Sequence, residues 1–281
     1  MLQILKDACR RAYAETEKLM GTPSAGTKFN QGAGGDISRR IDLVAENAVL
    51  QTVRESSKNP TIIGEECGVI EGNEGFLIMD AVDGTTNALR GVPFCCCSLA
   101  YATDPKLSSV TDAAVMDLAN GDLFYASKNH GAYLNERRIH VTQLDNLDFN
   151  DLIAGVNISG ISEETIVSLT PLIIRLKHVR HFGANALELC YLARGFLDLC
   201  IDLRMKIRPT DLAASYLIVH ESGGRMFDPV GKPFDSTVYL GSALSYIAVP
   251  HITVFDYFED NIKYFLKEQA PGPGFEPGSK E

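Results

Sequence analysis

The chain has 281 residues, 45% hydrophobic and 22% charged, and its 36 acids against 26 lysines and arginines leave a net charge of −10. Such a composition supplies apolar material for one large domain or two ordinary ones. It argues against a nucleic-acid partner and leaves room for a carboxylate-rich metal site. No apolar run approaches the ~18 residues that a bilayer crossing needs, and the N-terminal MLQILKDACRRAYAETEKL lacks the unbroken apolar core of a signal peptide. The seven cysteines are odd in number and contain no Cys-x-x-Cys pair, so reduced core thiols, no membrane partner and a cytoplasmic protein are expected.

In chain order, Ile4, Leu5, Ala8 and Ala12 share one helical face and predict an N-terminal surface helix. A loop follows, GTPSAGTKFNQGAGG, whose glycines lack both the preceding strand and the spacing of a dinucleotide fingerprint. Asp36 opens a segment in which Ile37, Ile41, Val44 and Ala48 recur at three and four positions, predicting a helix from Asp36 to about Glu55. TIIG (Thr61 to Gly64), FLIMDAV, CCCSLAYA and TDAAVMDL read as strands. Alternation along the third sends adjacent cysteines among Cys95, Cys96 and Cys97 to opposite faces. GDLFYASKNHGAYLNERRI reads as a meander turning at Gly131 and Asn135.

Past residue 148 the rhythm changes to alternating helix and strand. SEETIVSLTPLIIRLK, ANALELCYLARGFL and TDLAASYLIVHESGG are the helices, with HVRHF and DLCIDLR as strands between them. Leu212, Tyr216 and Val219 mark the buried face of the last helix, Thr210 is its expected N-cap and Gly223-Gly224 its stop. The expected organisation is an α+β half over 1–148, an α/β half over 149–269, and a disordered tail over 270–281.

The chemistry lies in three acidic stations, each at the end of a regular element: Gly64-Glu65-Glu66, Asp80-Ala-Val-Asp83-Gly-Thr-Thr, and Asp211 at a helix start. Carboxylates gathered without basic partners raise one another's pKa, and a hard divalent cation such as Mg²⁺ resolves the repulsion. Competing readings of the middle station fit worse. A calcium-loop helix pair needs a glutamate at the twelfth position, which is Gly91, and a strand precedes the loop. An aspartyl-phosphate nucleophile shows one residue between its acids, whereas Ala81 and Val82 intervene here. Asp83-Gly84 alone is ordinary turn chemistry, but Asp80 directly follows Phe-Leu-Ile-Met, where a lone carboxylate is costly.

Together, GEE, DAVDGTT and TDLAASYLIVHESGG, with GDISRRID upstream, resemble the signatures of the inositol monophosphatase family of Mg²⁺-dependent phosphatases, in the same order from about residue 30 to 250. The resemblance implies a layered α-β-α-β-α sandwich in two abutting halves with the metals at the seam. It implies Glu65, Asp80 and the Val82 carbonyl as ligands of one metal, and Asp80, Asp83 and Asp211 as ligands of a second. Glu65 would hold a third through water. Asp36 with Thr85 would orient the attacking water, and the amides of Gly84 and Thr85 would cradle phosphate. Two cations would then clamp the attacking and leaving oxygens of an in-line displacement. Ala81 and Thr210 replace the family's usual Pro and Trp, which leaves the ligands intact.

Arg204 occupies the position seven residues before Asp211, where animal members carry a glutamate that contacts inositol. With Arg180 and Lys206 it places cations where a second phosphate could sit, as in the archaeal enzymes that hydrolyse both fructose 1,6-bisphosphate and inositol 1-phosphate. Tyr191 is a further substrate-contact candidate, and Lys28 is similar to a mobile-loop lysine. The six histidines show no metal spacing. The resemblance therefore implies a phosphomonoester hydrolase with two or three Mg²⁺, a sugar or inositol phosphate substrate and a homodimer or homotetramer. A pure inositol monophosphatase and a 3′-phosphoadenosine or NADP phosphatase remain as alternatives.

Overall fold

Apolar alternation in the middle of the chain builds the larger of two sheets in a computed structural model that describes residues 1–148 and 150–258. The elements run α1 (Leu2–Thr16), β1 (Lys28–Gln31), β2 (Ile37–Arg39), α2 (Arg40–Glu55), β3 (Thr61–Gly64), β4 (Gly68–Ile70), β5 (Phe76–Asp83), α3 (Thr85–Arg90), β6 (Cys96–Ala102), β7 (Val110–Asp117), β8 (Leu123–Ser127), β9 (Ala132–Leu134) and β10 (Arg137–Ile139). They continue as β11 (Ile153–Asn157), α4 (Glu163–Arg175), β12 (His178–Arg180), α5 (Asn185–Ala193), β13 (Leu199–Ile207), α6 (Pro209–Glu221), β14 (Arg225–Phe227) and β15 (Leu244–Val249), with a helical stretch over 252–258. The expected tail over 270–281 lies outside the described residues.

The eight-stranded sheet is ordered β10-β9-β8-β7-β6-β5-β3-β4 and the five-stranded sheet β12-β11-β13-β15-β14. Alternation assigns each strand's side chains to two layers. Leu77, Met79, Cys97 and Leu99 pack with Leu5, Ala8, Ile41 and Val49 of α1 and α2, while Ile78, Cys96 and Ala100 face Leu187, Leu212 and Ile218 of α5 and α6. Cys200, Tyr246 and Ala248 of the second sheet join that central layer from its far side. Leu199, Ile201 and Ile247 point outward onto Leu169 and Leu172 of α4 and onto Val254 and Phe258. The result is the expected α-β-α-β-α sandwich. Its central cluster draws side chains from before and after residue 148 alike.

Two expected element boundaries are corrected. The helix expected from Asp36 begins at Arg40, because Ile37–Arg39 pair with β1 as a short antiparallel strand. Ile37, which supplied part of the helical periodicity, is 50% exposed. The last helix is capped by Arg208 rather than Thr210. Pro209 fills the first helical position, where its missing N–H costs nothing, and Asp211 reaches back to accept the Arg208 N–H at 3.0 Å. Its buried surface also extends well beyond the expected stripe, since α6 is sandwiched between the two sheets.

Candidate active site

Asp80 and Asp83 are three residues apart, a separation that would put their side chains on opposite faces of a regular strand. The pairing of β5 with β6 runs Asp80↔Ser98 and then Asp83↔Cys96, so β5 carries one extra residue between them. That bulge re-aims the strand end, and both carboxylates line the same cavity of 540 Å³. Gly84 then turns the chain at φ 90° into α3. A Cβ there would stand 3.0 Å from the Ala184 Cβ and 3.1 Å from the Phe94 carbonyl oxygen, so only glycine fits.

Glu65 enters from the end of β3 and Asp211 from the first turn of α6, and one carboxylate oxygen each from Glu65, Asp80 and Asp211 lie within 4.8 Å of one another. Asp83 lines the same cavity with one oxygen, Oδ2, tied to the Ala186 amide at 2.7 Å. The Val82 carbonyl oxygen, also on the wall, lies 3.1 Å from the Thr85 hydroxyl oxygen. Among the described residues the only guanidinium ion-paired with these acids is that of Arg208, 2.7 Å from Glu65 and 3.5 Å from both Asp211 and Asp36, while Arg39 lines the cavity without such a pair.

One cation cannot balance this many acids. Burial pushes the Glu65 carboxyl up to about 8, with Asp211, Glu66 and Asp42 adding repulsion against the relief that Arg208 gives. Burial, then Asp211, pushes Asp83 up to about 7. Asp80 is driven well above the carboxylate range by burial and by Glu65, Asp83 and Asp211. The donor set is all oxygen, anionic, convergent and open to a cavity, which suits a hard divalent cation.

The expected pairing of Asp36 with Thr85 is corrected. Thr85 donates its hydroxyl to Asp42 Oδ1 at 3.1 Å, and Asp42 Oδ2 accepts the Arg39 N–H at 2.9 Å as the third residue of α2. Asp36 stays on the cavity rim with its side chain 81% exposed and Arg208 3.5 Å away. Moving the start of α2 to Arg40 is what carries Asp42 inward and leaves Asp36 outside. A sequence signal existed, since Arg39-Arg40-Ile41-Asp42 and Arg208-Pro209-Thr210-Asp211 share the spacing of a helix whose third residue caps its own start. Glu46, one turn beyond Asp42, was missed too; it is buried, accepts the Glu66 N–H at 3.2 Å and is pushed up to about 7 by burial.

The substrate-contact candidates separate. Lys206 lines a second cavity of 470 Å³ that shares Asp36 and Arg208 with the acid cavity. Arg204, Arg180 and Tyr191 line neither. Arg204 is turned onto Asp202, with its Nε 3.0 Å from both carboxylate oxygens, because β13 holds extra residues between its Asp202↔Tyr246 and Ile207↔Leu244 pairs and bulges there. Met205 sits in that bulge at φ 52°. Arg180 is exposed at the end of β12, with its guanidinium on the Val179 carbonyl at 3.0 Å. Tyr191 is packed among Phe94, Phe182 and Phe196. Lys28 is exposed on β1 and lines neither cavity.

A five-layer sandwich with a convergent acid centre at the ends of β3, β5 and α6 defines an enzyme of the phosphatase class. A family model described as the inositol monophosphatase family matches residues 1–251, and the chain belongs to that family. It is 36% identical to a fructose-1,6-bisphosphatase/inositol-1-monophosphatase of Methanothermobacter thermautotrophicus over 85% of this chain and 88% of that one. It is 29% identical to a bifunctional NADP phosphatase/NAD kinase of Methanococcus maripaludis, over 88% of this chain but 46% of that longer protein. The solved structure of an inositol monophosphatase–fructose 1,6-bisphosphatase superposes with a TM-score of 0.83 at 27% identity, over 92% of this chain and 98% of that one. Among the described residues no helix is long and apolar enough to cross a membrane.

Proposed function

We propose that the protein is a Mg²⁺-dependent fructose-1,6-bisphosphatase that also hydrolyses inositol 1-phosphate. The observation that carries this reading is the pair of adjoining cavities. One is walled by acids that would hold cations and a phosphoryl group, and the other by Lys206 with Arg208 at the shared edge. A bisphosphate needs both, because its second dianion must be held away from the acid centre by cations of its own. In this reading Lys206 keeps the role expected of it, and Arg208 stands in the place expected of Arg180 and Arg204.

Glu65, Asp80, Asp83, Asp211 and the Val82 carbonyl are the proposed ligands of two or three Mg²⁺. When bound, these ions neutralise the phosphoryl oxygens and lower the pKa of the attacking water. The remaining work falls to the chain. Thr85 donates to Asp42, so its oxygen is left to accept a hydrogen bond from water, and Asp42 takes up the proton that the Thr85 hydroxyl relays. Burial pushes the Asp42 carboxyl up to about 6, which brings it closer to the pH at which it must accept that proton. Gly84 and Thr85 line the cavity at the start of α3, and their amides are the proposed phosphate cradle. As water attacks phosphorus, the ester P–O bond breaks and the sugar oxygen leaves, taking a proton from solvent water, to which Asp42 returns the one it accepted.

We read the two sheets as two functional halves meeting near residue 148, the first supplying all ligands but Asp211. A cytoplasmic homodimer or homotetramer is the proposed form. Phosphate release from fructose 1,6-bisphosphate, inositol 1-phosphate and NADP, each with Mg²⁺ and with EDTA, tests the reading. The bisphosphate should have the highest kcat/KM, and Lys206→Ala should lower it about tenfold with little change for inositol 1-phosphate. A preference for NADP would transfer the assignment to the dinucleotide phosphatases.

A further inference from the structure

A groove apart from the acid centre is left without a role. A concavity of 920 Å³ lies beside edge strand β10, with Arg137, Arg138 and His140 on one wall and Arg194, the C-cap residue of α5, on the other. Among the described residues no aspartate or glutamate lines it, in a chain whose net charge is −10. None of the three guanidiniums forms an ion pair with a described residue; Arg194 rests over the Phe196 ring at 5.1 Å. Charges on an edge strand discourage pairing with other chains, and that purpose covers Arg137 and Arg138. It does not cover Arg194, which comes from a different element and turns to the same space.

The groove is also wired to the acid centre. The second residue of α5, Ala186, holds Asp83 with its amide, and the helix is followed by Arg194 and Gly195 on the groove wall. α6 begins at Arg208 and Asp211. At its other end Glu221 accepts the Asn129 and Gly131 amides at 2.7 and 2.8 Å, and Ser222 accepts the Val141 amide at 3.2 Å. Val141 lines the groove, and the β8–β9 turn touches its wall through Gly131, where a Cβ would meet the Arg138 Nε at 2.9 Å. Two rigid helices packed side by side therefore join the two places.

We propose that this groove is a second anion site for a phosphate-bearing metabolite of nucleotide size, and that its occupancy is felt at the acid centre through α5 and α6. The volume lies in the range of small-molecule sites, and the guanidiniums can take phosphate oxygens bidentately. Asn146 and the Gln143 side-chain carbonyl on the rim offer hydrogen bonds to the rest of such a ligand, whereas the Asn135 amide is held by the Leu123 N–H and Asp122. The concave shape and the acidic remainder of the molecule disfavour a long polyanion.

The test is calorimetric titration with ADP and with inorganic pyrophosphate in EDTA, where the metal-free acid centre repels anions. This arm does not depend on the substrate proposed above. Wild type should bind with one site per chain, and Arg138→Ala with Arg194→Ala should weaken binding at least tenfold while leaving the melting temperature unchanged. Asp80→Asn should leave it intact. At matched free Mg²⁺, ADP should shift half-saturation of the acid centre, measured by Mg²⁺ titration, at least twofold in wild type and not in the double variant. Absence of binding at millimolar probe, or equal binding by the double variant, overturns the site. A 20-residue RNA that outcompetes ADP, or a change of oligomeric mass in the double variant, would replace it with a nucleic-acid face or a face between copies. Binding without the Mg²⁺ shift overturns the coupling.

Discussion

The molecule buries two groups of acids and builds them in opposite ways. At the acid centre, carboxylates from three elements converge on a solvent-filled cavity and share one guanidinium. Between α5 and the second sheet, Glu188 and Asp202 are each fully buried and closed in. Arg204 clasps Asp202, Asn157 donates to Glu188 at 3.2 Å and to Asn185 at 3.1 Å, and the Tyr246 hydroxyl donates to Asn185 at 3.2 Å. Burial and then Asp202 push the Glu188 carboxyl up to about 8, so it is mostly protonated at neutral pH. Buried acids alone therefore do not make a metal site. Convergence, access and a shortage of cations do, and the closed group lacks the last two.

The largest test of this contrast is Asp80→Asn, which should cut turnover about 10³-fold and abolish Mg²⁺ binding in calorimetry. The same change should raise the melting temperature of the metal-free protein at alkaline pH, where ionisation of Asp80 would otherwise add a repelling charge. Arg204→Ala should do the reverse. It strands Asp202 as an uncompensated buried charge and should cost about 3–5 kcal/mol in urea unfolding, with Mg²⁺ affinity unchanged. An Arg204→Ala protein that is fully stable but defective in Mg²⁺ binding would erase the distinction.

Next in size, Asp42→Asn should lower kcat about 10²-fold and flatten the acid limb of the pH profile, whereas Asp36→Asn stays within threefold of wild type. Equal losses would return Asp36 to the water-orienting pair. Arg208→Gln removes the resident counter-ion, so metal-free stability should fall while Mg²⁺, now unopposed at Glu65, binds several-fold tighter. Its KM for a bisphosphate should rise.

The smallest effect is on pH dependence. A carboxyl whose folded pKa is raised binds its proton more tightly in the folded state. It stabilises the fold below its ordinary value near 4.5 and loses that contribution as pH climbs through the folded value. Glu65 and Glu188 both reach about 8, so the melting temperature in EDTA should decline from pH 5 to pH 9. Saturating Mg²⁺ should remove the acid centre's share of that slope, and Glu188→Gln the rest. A slope that Mg²⁺ does not touch would mean that the acid centre holds no cation.

Much of this was legible in the chain itself. Strand alternation is local, so the placement of the FLIMDAV and CCCSLAYA strands, and even the opposite facing of Cys96 and Cys97, follow from a period of two. Helix–strand alternation after residue 148 announced the second sheet, and acids directly after apolar strands announced the centre. What needed the folded molecule were the irregularities. The β5 bulge that turns Asp80 and Asp83 to one side depends on pairing with β6, and the β13 bulge that turns Arg204 onto Asp202 depends on β15. Asp42 rather than Asp36 meets Thr85 because a short strand displaces the helix start, and Arg208 enters the centre because α6 lies between two sheets. Sequence fixes residue types and local periods, whereas which charges meet is set by register and layer packing between segments far apart in the chain, and no local pattern encodes that.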